Sequence, residues 1–212
     1  MLLTSTAVAS AAPGAPATAS AQGGVVARNR GLANPAASLH PSNAFKTYCY
    51  EANHVASCDK AALADIDMAR AKEGLGKVHL PRGFYSMSTR NQLAAITNCE
   101  RNARGLASLA VNTTLDADAQ AGATAGDDPS GPSNYSWGSN ISWGYVTPLA
   151  ADFAWMYDDG PNSPNVDCKK AGDAGCWGHR DNILARWRGK QGDGSYDNRG
   201  TMQLTQLFVE NY

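Results

Sequence analysis

The chain has 212 residues, room for one domain with a substantial core and some flank outside it. Its 18 Lys and Arg against 19 Asp and Glu leave a formal net charge of −1, which argues against a nucleic-acid binder, where a basic stripe is expected. The distribution strengthens that exclusion. Between Gly105 and Cys168 there is no Lys, Arg or His, while Asp116, Asp118, Asp127, Asp128, Asp152, Asp158, Asp159 and Asp167 are acidic, a solvated face that would repel phosphate.

The N-terminal "MLLTSTAVASAAPGAPATASAQGG" begins with a short apolar run and has Ala-Ser-Ala at 19–21 as a cleavage signature, without a basic start. Residues 1–22 therefore read as an incomplete secretory leader, 23–44 as a flexible Ala/Gly/Pro/Ser arm, and 45–212 as a single domain. No run of eighteen apolar residues predicts a transmembrane helix. The cysteines agree with export. Cys49 and Cys58 bracket one turn-rich stretch and Cys168 and Cys176 another, predicting two local disulfides and an oxidising compartment. Cys99 is left over, on a predicted apolar helix face, as a small buried thiol.

In chain order, Asp59 is expected to cap a helix through Leu63 and Ile66 that ends at Gly74. "KVHLPRGFYSMS" reads as short extended pieces at 77–85. Ser88 opens a helix with Leu93, Ile96, Cys99 and Ala103 on one side, ending near Gly105. Thr114 is expected to cap an Ala-rich helix over 115–125, after which "GDDPSGPSNYSWGSN" reads as loop. Thr147 followed by Pro148 is a helix start, with Leu149, Phe153 and Met156 on one side and "DDGP" as the stop. A short helix follows at His179–Ala185. The one firm strand is "TMQLTQLFV", 201–209, with partners from 77–85 or 186–196. Helices around a small sheet give an α+β fold, or a three-layer α/β/α arrangement.

"GCWGHRDNIL", 175–184, concentrates the chemistry. The structural reading has Gly178 and His179 opening the short helix, Asp181 near its exposed N–H groups and Arg180 forking onto an acid of "DDG". Cys168–Cys176 then holds Trp177 against the core, with Asn182 and Trp155 part of the same scaffold. The binding reading rests on aromatics in the acidic half. Trp137 and Trp143, in a Gly/Ser/Asn-rich loop, form a platform for a glycan or lipid chain.

Five stretches in order resemble the CAP superfamily (cysteine-rich secretory, antigen 5 and pathogenesis-related proteins; the SCP domain), in a bacterial form. They are "ITNCERNARGLASLAVNTTLDADAQAGA" at 96–123, "WGSNISWG" at 137–144, "FAWMYDDG" at 153–160, "GHRDNIL" at 178–184 and "LTQLFV" at 204–209. The resemblance implies an extracellular α/β/α sandwich with a small central antiparallel sheet, in which two His and two acids line a cation cleft, and in which some members bind lipid. Carried over by position, His179 is the signature His and Asp158 the helix acid, with Asp159 beside it. Ser139 replaces the Glu of the Gly-Glu-Asn loop, and the other His has no counterpart. Half of the cleft is thus absent. The alternatives it leaves are a hydrolase using His179, Asp158 and Ser139, or a divalent-cation site of His179, Asp158 and Asp159, too poor in imidazole for zinc. The "ARWRGKQGDGSYDNRG" stretch is shorter and more polar than the resemblance requires, leaving one core strand shortened or missing. The expectation is a secreted, non-enzymatic domain without a cofactor, binding a lipid, glycan or cell-envelope ligand.

Overall fold

The strand expected at 201–209 is the spine of the sheet. In the computed structural model, which describes residues 33–50 and 53–212, it is β4 (Thr201–Glu210), hydrogen-bonded along both edges. The leader at 1–22 and the first part of the arm lie outside the described residues. β3 (Gly189–Asn198) pairs antiparallel with β4 through a hairpin turn at Arg199 and Gly200, both at positive φ (58° and 93°). β2 (Trp137–Tyr145) pairs antiparallel with the other edge of β4. β1 (Ala110–Val111) adds two residues parallel to β3, so the order is β1-β3-β4-β2. The sheet is therefore not wholly antiparallel: its short outer strand runs with β3.

Strand alternation sets what covers each face. Leu207 and Val209 pack with Leu115 and Ala119 of α4 (Thr113–Ala125), and the Thr205 hydroxyl donates to Ala119 O at 2.6 Å. Leu204 and Phe208 point the other way into the main core, and Gln206 Nε2 donates to Thr97 Oγ1 of α3 (Thr89–Ala103) at 2.7 Å. That second face also carries α5 (Pro148–Tyr157) and α6 (Gly178–Leu184). α2 (Val55–Lys72) packs on α5, and α1 (Asn43–Tyr48) on α2. The described residues thus form a mixed α+β fold of six helices and one four-stranded sheet. No helix among them is long and apolar enough to cross a membrane.

Two strands correct the sequence reading. "WGSNISWGY" is β2 rather than loop, because eight of its nine residues pair with β4, with a bulge at Gly144, and bury Ser139, Asn140, Ile141 and Ser142. Two of its carbonyls take side-chain donors, Asn182 Nδ2 on Ser139 O at 2.7 Å and Trp155 Nε1 on Ile141 O at 3.2 Å. Such contacts close an edge that composition alone leaves open. β3 spans ten residues and is not shortened. Two of its glycines are there for α4: a Cβ at Gly192 would overlap the Leu115 backbone, and one at Gly194 the backbone of Ala119. The 77–85 stretch supplies no strand. It holds only a 3-10 turn at Phe84–Ser86, and Val78 N–H donates to Asp67 Oδ1 at 2.8 Å.

Helix starts shift by a turn or less. α2 begins at Val55, four residues before Asp59, and α4 is capped by Asn112, whose Oδ1 accepts from the Thr114 and Leu115 N–H groups. Thr147 caps α5 as expected, with Pro148 in the first turn. α5 is buried on every side, so it is the core's central helix rather than an amphipathic one. Both disulfides are formed, and Cys99 is free. The latter half of the expected flexible arm is tied down. Leu39 N–H donates to Tyr157 O at 2.8 Å, Ser38 Oγ accepts from Gly160 N–H at 2.8 Å, and Ser42 N–H donates to Asp65 Oδ2 at 2.8 Å.

Candidate functional site

α6 starts from a strained residue. Trp177 sits at its N-terminal boundary with φ 64°, in the left-handed region that bulky residues avoid. The conformation is held because Trp177 N–H donates to Asp159 O at 3.0 Å and the indole lies over Gly160, where a Cβ would overlap the ring. The Cys168–Cys176 bridge closes the loop just upstream. This places Asp159, at the end of α5, under the first turn of α6.

Asp159 accepts four donors there. The His179 ring reaches its Oδ1 from Nδ1 at 2.6 Å, and Asn165 Nδ2 reaches the same atom at 2.7 Å. The backbone N–H groups of His179 and Arg180 reach Oδ2 at 3.0 and 3.4 Å. Burial pushes the Asp159 carboxyl up, against the His179 charge that draws it down. Burial likewise disfavours a charged His179 ring, but the Asp159 carboxylate reverses this, Asp128 and Asp167 add to it, and the pKa stands above its ordinary value. His179 is 1% exposed, Trp155 stacks along its ring at 6.4 Å, and Nε2 makes no hydrogen bond among the described residues.

The other residues nominated for this site face elsewhere. Asp158, one residue before Asp159, leaves the end of α5 in a different direction and meets Nδ1 of the half-exposed His40 at 3.4 Å. Ser139 is turned by strand alternation toward the α4 face, where its Oγ lies 3.4 Å from Asp128 Oδ1. The acid orienting His179 is thus Asp159, and the Asp158–His179–Ser139 set is not assembled. Among the described residues no three His, Cys, Asp or Glu side chains converge as a metal site, so His179, Asp158 and Asp159 do not form the cation alternative.

The structural residues are all placed, with one change of partner. Arg180 does not fork onto "DDG". It donates to Glu73 Oε2 of α2 at 2.9 Å and to Met156 O at 2.6 Å. It thereby joins a buried ionic cluster in which Arg104 pairs with Glu73 at 2.7 Å and with Glu100, and Arg70 and the Tyr157 hydroxyl reach Glu100 at 3.0 and 2.9 Å. Asp152 is buried at the same place without a hydrogen bond to either oxygen, and its pKa is raised well above its ordinary value by burial and by Glu100. Asn182 joins α6 to β2, donating to Ser139 O and to Asn140 Oδ1 at 3.0 Å. Sequence reading missed Arg101, whose guanidinium donates to Ile183 O and Ala185 O at 2.7 and 2.8 Å and so closes the C-terminal end of α6.

Both rings of the expected aromatic platform are partly buried: Trp137 lies against Gly131 and the Leu207–Val209 cluster, and Trp143 Nε1 donates to Gly126 O at 3.2 Å. Cys99 is half-buried, and its thiol is pushed up to about 11 by burial and by Asp152 and Glu100, so it stays protonated.

Open space lies elsewhere. A cavity of about 890 Å³ runs beside the first three turns of α2, walled by Leu63 and Ala64 on that side and by Val146, Pro148 and Met202 opposite. Asp59, Tyr85, Thr89 and Gln92 bring polar groups to it. Its size and its mixture of apolar wall and few polar groups suit a small organic ligand. Comparison with protein-family models, with curated proteins and with solved structures finds no match for the chain.

Proposed function

We propose that this is an exported, CAP/SCP-like binding domain that performs no catalysis. The observation that carries the reading is the enclosure of His179. Its Nδ1 is committed to Asp159, its ring lies against Trp155, and a substrate has no approach to a side chain 1% exposed. A general base needs both a reachable proton and a partner nucleophile, and the nominated Ser139 points to the opposite face of the sheet. The family resemblance draws support from helices on both faces of a small sheet and from the quoted motifs falling on α3 to α4, β2, α5, α6 and β4 in that order. Export draws support from two disulfides, which persist in oxidising compartments.

The test is turnover. Purified protein incubated with generic ester and peptide substrates is expected to release no more product than buffer, and His179→Asn is expected to lower thermal stability with no activity to lose. Turnover that disappears in His179→Asn would establish the hydrolase instead. For export, thiol titration of the unfolded, unreduced protein should find the one sulfhydryl of Cys99. A count of five would place the chain in a reducing compartment.

A further inference from the structure

The α2 cavity has a directional chemistry that its volume alone does not convey. One face of α2, at Val55, Asp59, Leu63 and Asp67, forms its length, a span of ~18 Å at the helical rise. The opposite wall comes from the β2–α5 junction, where Val146, Thr147 and Pro148 are buried, and from Met202. An elongated apolar molecule fits this shape better than a compact polar one.

Asp59 adds the second requirement. It reads from sequence as a helix cap, yet α2 starts four residues earlier and leaves the carboxylate on the cavity wall in the first turns. There it is half-buried among largely apolar lining residues, burial raises its pKa while the nearby Thr147 hydroxyl draws it down, and it makes no ion pair among the described residues. A carboxylate drawn into apolar surroundings without an ion-pair partner is stabilised by any cation that can reach it. Tyr85 stands on the same cavity, 60% exposed and near enough for its hydroxyl to sense the Asp59 charge. An aromatic face beside an acid is a setting for an ammonium group. Asp67 is already engaged by Val78 N–H, and Lys60, at the rim, is exposed and can hold its ammonium in water.

We infer that this cavity binds a single-chain apolar amine, with the alkyl part along Leu63, Val146, Pro148 and Met202 and the ammonium between Asp59 and Tyr85. The inference rests on the binding-domain reading and gives its ligand a charge.

Three probes of equal chain length separate the terms: dodecylammonium, dodecanol and dodecanoate, each titrated below its micelle concentration and followed by intrinsic fluorescence and calorimetry. Dodecylammonium is expected to bind about tenfold tighter than dodecanol, and dodecanoate weakest of the three. Asp59→Asn is expected to bring the ammonium and the alcohol within about twofold of each other. Ala64→Trp, a substitution at an exposed position of the wall, should remove binding of all three while leaving the thermal transition in place. Equal binding of the three probes, the absence of binding, or an ammonium preference that survives Asp59→Asn would each overturn the inference. These failures are distinct from failure of the parent reading, which is decided by turnover depending on His179.

Discussion

Asp158 and Asp159 are consecutive carboxylates at the end of one helix, and the fold treats them in opposite ways. Asp159 turns inward and meets the His179 ring, the Asn165 amide and two backbone N–H groups at the start of α6. Asp158 turns toward the N-terminal stretch, where Nδ1 of the exposed His40 ring lies 3.4 Å from its Oδ1, an atom with no hydrogen bond among the described residues. Both are buried, at 5% and 1% exposure. What separates them is satisfaction rather than depth. A buried carboxylate with a full set of donors ties elements together, whereas one without them is a cost the fold carries.

The inward member should be the harder to remove. Asp159→Ala leaves four donors without an acceptor and is expected to cost about 3–5 kcal/mol in urea unfolding. The near-UV signal of the aromatic groups around Trp155 and Trp177 should weaken with it. A loss below about 1 kcal/mol would show that α6 docks without this anchor. Next comes the loop that steadies it. Asn165 donates to Asp159 O, Asp159 Oδ1 and Gly175 O, and accepts from Asp167 N–H at 2.9 Å, so Asn165→Ala is expected to cost about 2 kcal/mol by the same measurement. The loss in a double variant should fall short of the sum of the two single losses, because both changes remove the same hydrogen bond.

This distinction between neighbours was only partly legible in the sequence. The Thr147-Pro148 start of α5, the stop at "DDG", the helix at "GHRDNIL", both disulfides and β4 could all be read from local signals, because caps, breakers and alternation act within a few residues. β2 could not, and β3 could be read only as one of two candidate partners, at 186–196, and as shortened or missing rather than ten residues long. Ser, Asn and Gly have low strand preference, and what makes them strands is α4 pressed against Gly192 and Gly194 and side chains from α5 and α6 on the β2 carbonyls. The same limit applied to the site. Position in the motif favoured Asp158 for His179, but the choice between adjacent carboxylates depends on how the chain leaves α5 and on Trp177 lying over Gly160. The partner of Arg180, Glu73, lies 107 residues away, beyond any local pattern.

The outward member should respond to pH in the opposite sense from a carboxylate whose pKa the fold depresses. Burial raises the Asp158 pKa to about 6, with His40 pulling it down and Asp159 pushing it further up. An unfolded Asp titrates near 3.9. The folded state therefore binds more protons between those values, and the Asp158 contribution to stability falls as pH rises from about 4 through about 6. Asp158→Asn removes that slope. The variant is expected to match the parent chain near pH 4 and to be more stable by about 1–2 kcal/mol above pH 7. A variant less stable than the parent at pH 7.5 would mean that ionised Asp158 is paired as well as Asp159 is.

The smallest effect isolates His40. Its ring is 59% exposed, so its bond to Asp158 is screened by water and salt, and His40→Ala should cost less than about 1 kcal/mol. Global unfolding is then too blunt a readout, and local protection is the better one. Leu39 N–H is bonded to Tyr157 O one residue away, so hydrogen exchange at Leu39 reports whether this stretch stays on the end of α5. Exchange there should speed several-fold in His40→Ala at pH 6 while the amide of His179, donating to Asp159, keeps its rate. Equal acceleration at both amides would show that the outward pair and the inward pair open as one unit, and the two carboxylates would then share a single energetic fate.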